Sequence, residues 1–232
     1  MILTAELHCH TRYSDGFLTP QQALRRAARL GLQVLAITDH NTAQGALQCS
    51  PDSIPSGLLL LPGEEISTEI GHVLAYFIQR TVPPGPFLQV AQEVHRQGGL
   101  VFIAHPYQIP LANRWRRRPV FRLQEQHWSF VDGLEVENGQ NCPAANRLAH
   151  QLAWHRRCTA ISGSDAHFPL EIGNARTQVE CSSLSLEALR AAFCERNLLP
   201  LVRRWNAYPL YLLTGILNRW SGKYYADPEM VS

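Results

Sequence analysis

Residues 5–15 read AELHCHTRYSD, two histidines around a cysteine with a carboxylate five residues beyond the second. In a strand successive side chains point to opposite faces, so His8 and His10 would share one face and Cys9 would take the other. The stretch SGSDAH repeats the device with Asp165 and His167. TDHN adds Asp39 and His40, PGEEIS adds Glu64 and Glu65, GHVLAY adds His72 and AHP adds His105. Glu64 and Glu65 are neighbours in a strand, so only one can face a site that the others share. Imidazole and carboxylate together suit zinc, manganese or iron, whereas an all-oxygen shell would suit calcium or magnesium. As a set these residues read as a mixed nitrogen and oxygen site for more than one hydrolytic metal. His95, His127, His150 and His155 stand in helical or loop contexts without carboxylates beside them in sequence, and are left out.

Such ligands need elements to carry them. With 232 residues, 45% hydrophobic and 17% charged, the chain suits one large globular domain and excludes a disordered one. A net charge of +2 says little about partners. Six cysteines without a CxxC pair read as free thiols in a reducing compartment. MILTAELHCH lacks the basic start and long apolar run of a signal peptide. YPLYLLTGIL has about half the ~20 residues of a membrane helix. The expectation is a soluble, cytoplasmic protein without a transmembrane segment.

Short apolar runs alternate with helical patterns, which predicts a parallel sheet with crossover helices. The strand candidates are ILTAELH, VLAITDH, LLLLPGEEIS, HVLAYFI, LVFIAHP, GLEVEN, CTAISGSDAH and ARTQVE. Thr19 followed by Pro20 predicts the start of a helix through QQALRRAARLG. Further helices are expected over PFLQVAQEVHRQGG, PAANRLAHQLAWH and SLEALRAAFCERN. Several strand candidates end at a residue able to bind metal, and the carboxyl ends of parallel strands are where active sites assemble.

In this order, ELHCHTRYSDG, LAITDHN, PGEEIS, IAHP and GSDAH resemble the PHP (polymerase and histidinol phosphatase) family, over about residues 3–180. The resemblance implies an α/β fold, a distorted (β/α)7 TIM-like barrel, with a trinuclear metal centre at its C-terminal mouth. By that likeness residues 1–200 form the barrel, and 201–232 a helical extension packed on it or at an interface. His8, His10, Glu65 and Asp165 would hold the first metal. Glu65 would bridge to a second, held also by His72 and His105, and Asp15, His40 and His167 would hold the third. Asp15, Glu65 and His167 are the expected catalytic residues. Glu65, directly before Ile66 and Ser67, matches the family position.

Asp39 could fix an imidazole tautomer or cap a strand end. Glu135 and Glu137 would share one strand face, toward the site or toward solvent. Arg114, Arg116, Arg117 and Arg118 follow the AHP strand, where they could bind phosphate, with Trp115 stacking on a base, or form a solvated charge run. Arg176 is a further single candidate for a phosphate clamp.

Divalent cations sharing a carboxylate lower the pKa of a bound water from ~16 to about 7 and neutralise phosphoryl oxygens. The expected activity is hydrolysis of a phosphate monoester of a small metabolite or nucleotide. The alternatives are 5′-to-3′ exonuclease action on short RNA or DNA, and a non-catalytic metal-bound module that binds a partner.

Overall fold

The computed structural model describes residues 1–108 and 123–201; the arginine run at 114–118 and the extension beyond 201 lie outside them. α1 (Pro20–Arg29) starts where the sequence predicts. The Thr19 hydroxyl accepts from Gln22 N–H, the Gln22 side chain accepts from Thr19 N–H, and Pro20 takes a position that needs no N–H partner. Its buried Ala23, Leu24 and Ala27 pack against Leu35 and Ile37 of β2 (Val34–Ile37). The short α2 (Gln44–Leu47) has no side-chain cap and left no signal in the sequence. α3 (Phe87–Arg96), α4 (Pro143–Arg156) and α5 (Leu186–Glu195) occupy the expected places.

All eight expected strands form: β1 (Ile2–Glu6), β2, β3 (Leu59–Thr68), β4 (Gly71–Tyr76), β5 (Leu100–Ile103), β6 (Gly133–Asn138), β7 (Thr159–Gly163) and β8 (Arg176–Glu180). A further strand, β9 (Leu198–Leu201), follows α5. They make one sheet in the order β7-β6-β5-β4-β3-β2-β1-β8-β9, a nearly closed mixed α/β barrel. The all-parallel expectation is corrected. Only Glu69 and Ile70 separate β3 from β4, too few for a crossover, so the two form a hairpin and β4 runs antiparallel to both β3 and β5. β8 likewise runs antiparallel to β1 and β9.

Two devices draw β7 toward β1 and β8. The Thr177 hydroxyl accepts from Ser162 N–H at 2.8 Å and donates to Ser162 C=O at 3.0 Å. Beyond β1, Cys9 pairs with Ala166 through His10 N–H to Ala166 C=O (2.8 Å) and Ala166 N–H to His8 C=O (3.1 Å). Where the strands part, the buried Glu6 carboxyl accepts from the N–H groups of His8, Ser164 and Gly173 and from the Ser164 hydroxyl. Burial pushes that carboxyl up to about 7, against the hydrogen bonds that favour its charge. Leu3, Ala5, Leu61, Tyr76 and Phe102 fill the end of the barrel where β1 and β5 begin, and Phe193 of α5 meets Tyr76 and Phe102 edge-on there. That end is stoppered, and chemistry is left to the other. Among the described residues no helix is long and apolar enough to cross a membrane.

Candidate metal centre

The nine expected ligands converge at the open end. The extended chain after β1 turns His8 and His10 to one side and buries Cys9 among apolar residues of α1 and β2, as strand alternation requires. His40 follows β2, Glu65 lies on β3, His105 follows β5, and Asp165 and His167 follow β7. His72 sits at the start of β4. The reversed direction of that strand brings its beginning, not its end, to the shared rim, opposite Ser67. Two ligands have backbones in the left-handed region, His105 (φ 25°) and Asp165 (φ 54°). Such conformations cost of order 1–3 kcal/mol and cluster at functional sites.

The distances define a cage. His8 Nε2 stands 3.1 Å from His10 Nε2, 3.2 Å from Glu65 Oε2 and 3.5 Å from Asp165 Oδ1. His10 Nε2 stands 3.1 and 3.3 Å from the same two oxygens. Four donors held ~2.1 Å from one cation in a tetrahedron would stand about 3.4 Å apart, so the cage has the size a cation needs. The Glu65 carboxylate reaches further. Its Oε2 also lies 3.2 Å from His40 Nδ1, while Oε1 faces His105 Nε2 at 2.9 Å and His72 Nδ1 at 3.0 Å. A third group gathers His10, Asp15, His40 and His167, with Asp15 Oδ2 3.1 Å from His167 Nε2.

Charge points the same way. Asp15, Glu65, Glu135 and Asp165 form their ion pairs with imidazoles, and no lysine or arginine among the described residues pairs with any of them. Burial opposes the ionised form of Glu65 and Asp165, yet the surrounding histidines hold both carboxyls well below the usual range. Burial opposes the ionised form of Asp15 too, yet His167, His10 and His40 together lower its carboxyl. Burial would lower His167, but Asp15 beside it pushes the imidazole up to about 10. His8 is raised by Asp165, Glu135 and Glu65 against its burial. His40 goes the other way, down to about 3, because burial dominates there. A buried cluster of carboxylates with only imidazoles to balance it suits cations. So does the buried Nδ1 of His10, which has no hydrogen-bond partner.

Several secondary expectations change. Asp39 bonds no imidazole. It points away from its neighbour His40 and accepts from Thr11 N–H (2.6 Å), Thr11 Oγ1 (2.7 Å) and Ser14 Oγ (2.8 Å), shaping the loop that carries Asp15. Glu135 and Glu137 do not share a face, because a β-bulge between them resets the alternation. Glu135 Oε1 meets His8 Nδ1 at 3.0 Å and its Oε2 accepts from His105 N–H at 2.9 Å. Glu137 turns outward to Asn146 and His150 of α4. His150 thus has a carboxylate partner, as His95 has in Asp132, although neither shows one beside it in sequence. Glu64 points away from the site and accepts from Val82 N–H, and burial pushes its carboxyl up to about 8. Arg176 donates its Nε to Gly173 C=O at 2.7 Å, which makes it a brace for that loop.

Sequence reasoning passed over Glu6, Asn138 and Gln140. Asn138 Nδ2 donates to Glu135 Oε2 (3.0 Å) and Asp165 Oδ2 (3.2 Å). The positions of Asn138 and Gln140 depend on the bulge in β6, which no pattern of the chain announces.

A family profile described as "PHP domain" matches residues 6–113, and a second, "PHP-associated", matches residues 143–198. A protein of Methanocaldococcus jannaschii described as uncharacterised is 31% identical over 174 residues, covering 67% of this chain and 97% of that protein. The chain belongs to the PHP family. It is a hydrolase acting on phosphoester bonds. The PHP chain is also 25% identical over 259 positions to the 5′-3′ exoribonuclease Rnm of Escherichia coli, covering 72% of this chain and 87% of that one. In fold it is similar to a two-domain protein of Bacteroides vulgatus containing a "predicted PHP-like metal-dependent phosphoesterase", at TM-score 0.69 and 23% identity. That match covers 88% of this chain and 65% of the other.

Proposed function

We propose that the nine residues hold three divalent cations, zinc, manganese or iron, and that the chain hydrolyses phosphate monoesters of a small metabolite or nucleotide. His8, His10, Glu65 and Asp165 take the first cation, Glu65, His72 and His105 the second, and Asp15, His40 and His167 the third. One observation carries the reading: the two oxygens of Glu65 face different sets of imidazoles, as a carboxylate shared between two cations must.

Bound cations supply a hydroxide nucleophile at neutral pH and neutralise the charge that builds on the phosphoryl oxygens. The chain's residues do the positioning. Glu65 would be the ligand shared by two of the cations. Glu135 orients the His8 ring, leaving its Nε2 lone pair on the cage side. Asp15, His40 and His72 are the ligands most open to solvent, with side chains 20–28% exposed, so the phosphoryl group approaches over them. Asp15 and His167 pair on that side of the cage.

The test is turnover of p-nitrophenyl phosphate with added manganese, abolished in Asp165→Ala and His40→Ala. Protein that binds cations yet turns over neither this ester nor any nucleotide would leave only a binding module. A second reading, 5′-to-3′ exonuclease action on short RNA or DNA, is favoured by the similarity to Rnm. That alignment is longer than this chain, so Rnm carries inserted segments that this chain lacks. Turnover that falls steeply with salt on oligonucleotides, but not on mononucleotides, would favour the exonuclease.

A further inference from the structure

Asp15 and His167, two ligands of the outermost group, come from loops far apart in sequence, and neither lies within a strand. What sets them against each other lies in the main chain. Phe17 N–H donates to His167 C=O at 2.9 Å, and the Phe17 ring stacks on that of Phe168, with centroids 4.2 Å apart and planes at 23°. Arg12 Nε in turn donates to Phe17 C=O at 2.8 Å. The carbonyl side of His167 is thus tied to the loop that carries Asp15.

The amide side is tied to a single carboxylate. Residues 168–171 form a turn closed by Glu171 N–H to Phe168 C=O at 3.1 Å, with Pro169 at its second position, where a fixed φ is favoured. The Glu171 side chain folds back over that turn. Its Oε2 accepts from His167 N–H at 2.8 Å and from Phe168 N–H at 2.9 Å. Among the described residues neither N–H meets a backbone carbonyl. Glu171 is fully buried, and its Oε1 has no hydrogen-bond partner. A hydrocarbon side chain would leave no oxygen unsatisfied there, but it would strand two N–H groups beside a ligand. We propose that Glu171 is a positioning residue for the outermost cation. By accepting both N–H groups through one oxygen, it holds the His167 main chain against the Asp15 loop, so that the two ligands are in place before a cation arrives. It acts through the backbone of His167 and makes no hydrogen bond to an imidazole. This rests on the three-cation reading above, and it requires an acceptor oxygen rather than a negative charge.

Two variants test this. Glu171→Gln keeps one carbonyl oxygen for the two N–H groups and removes the charge, whereas Glu171→Met keeps the volume and removes the acceptor. Zinc or manganese affinity, measured by competition with a fluorescent chelator, is expected to fall ~10- to 100-fold in Glu171→Met, for the weakest-bound cation only. Elemental analysis after dialysis would then drop from three cations per chain to two. Glu171→Gln is expected to keep all three. Unchanged affinity and stoichiometry in Glu171→Met, with three cations in the wild type, would overturn the role of Glu171 and leave the metal centre standing. Equal losses in the two variants would overturn it as well, because the charge would then be what matters. A wild type that binds fewer than three cations would overturn the reading beneath the proposal, and the proposal with it. Should Glu171→Met fail to fold, hydrogen exchange in the metal-stripped wild type decides. The amide protons of His167 and Phe168 are expected to be protected without any cation, and exchange at the rate of a free peptide would overturn the proposal.

Discussion

Glu135→Gln is the smallest change that tests whether the cage is held from outside. Both oxygens of Glu135 act as acceptors: Oε1 for His8 Nδ1 at 3.0 Å, and Oε2 for His105 N–H at 2.9 Å and Asn138 Nδ2 at 3.0 Å. Glutamine keeps the shape but has one acceptor oxygen, so its NH2 must face a donor whichever way it turns. Turned toward His8, it favours the proton on His8 Nε2, where the cage needs a lone pair. Turned the other way, it confronts His105 N–H and Asn138. Either way at least one hydrogen bond to a charged acceptor is lost, worth about 1.5–3 kcal/mol. That converts to a ~10- to 150-fold loss of cation affinity if the cost falls on the bound state. Chelator competition measures the affinity, and p-nitrophenyl phosphate turnover at saturating manganese measures what remains of activity. Wild-type affinity in a folded Glu135→Gln protein would refute the reasoning, since the His8 ring would then need no external acceptor.

Gly163→Ala should disable the same ligand sterically. A Cβ at Gly163 would stand 2.4 Å from His8 Cβ and 2.6 Å from Glu135 Oε1, so the His8 ring must shift, and elemental analysis should show a cation lost. Chelation by EDTA should lower the melting temperature, because a ligand present at 100 times its Kd stabilises by ~2.7 kcal/mol; readdition of manganese should restore it. Calorimetry of the stripped and reloaded protein checks this. Thr177→Val leaves the buried N–H and C=O of Ser162 without their hydroxyl partner, at about 1–3 kcal/mol. Urea titration should find that loss with little change in cation content, because Thr177 braces the barrel wall and touches no ligand.

What could be read from the chain divides along physical lines. His8 and His10, or Asp165 and His167, are legible because two-residue spacing translates directly into one face of an extended chain. Thr19 and Pro20 are legible because a cap is a local event. Strand direction is not local. Nothing in GHVLAY distinguishes a parallel strand from the return arm of a hairpin except the two residues that precede it, and those are easily read as part of a longer run. His72 reaches the rim because β4 is reversed; a parallel strand would have carried it to the other end. The bulge in β6 is harder still. Alternation pairs Glu135 with Glu137, while the structure admits Val136 as an extra residue and turns Asn138 inward in place of Glu137. A single extra residue exchanges a carboxylate for an amide beside Asp165.

That exchange has a chemical logic. A carboxylate at the position of Asn138 Nδ2 would face the oxygens of Asp165 and Glu135 at 3.0–3.2 Å and add another buried negative charge to a cluster balanced by imidazoles. An amide instead donates to both and leaves their remaining lone pairs to His8 and His10. The bulge therefore keeps a further carboxylate away from Glu65, Glu135 and Asp165. Asn138→Asp would test this directly. It should raise demand for cations, with a stripped protein less stable than the wild type and a larger gain in melting temperature on zinc addition. Equal gains in the two proteins would show that the amide is there for packing alone.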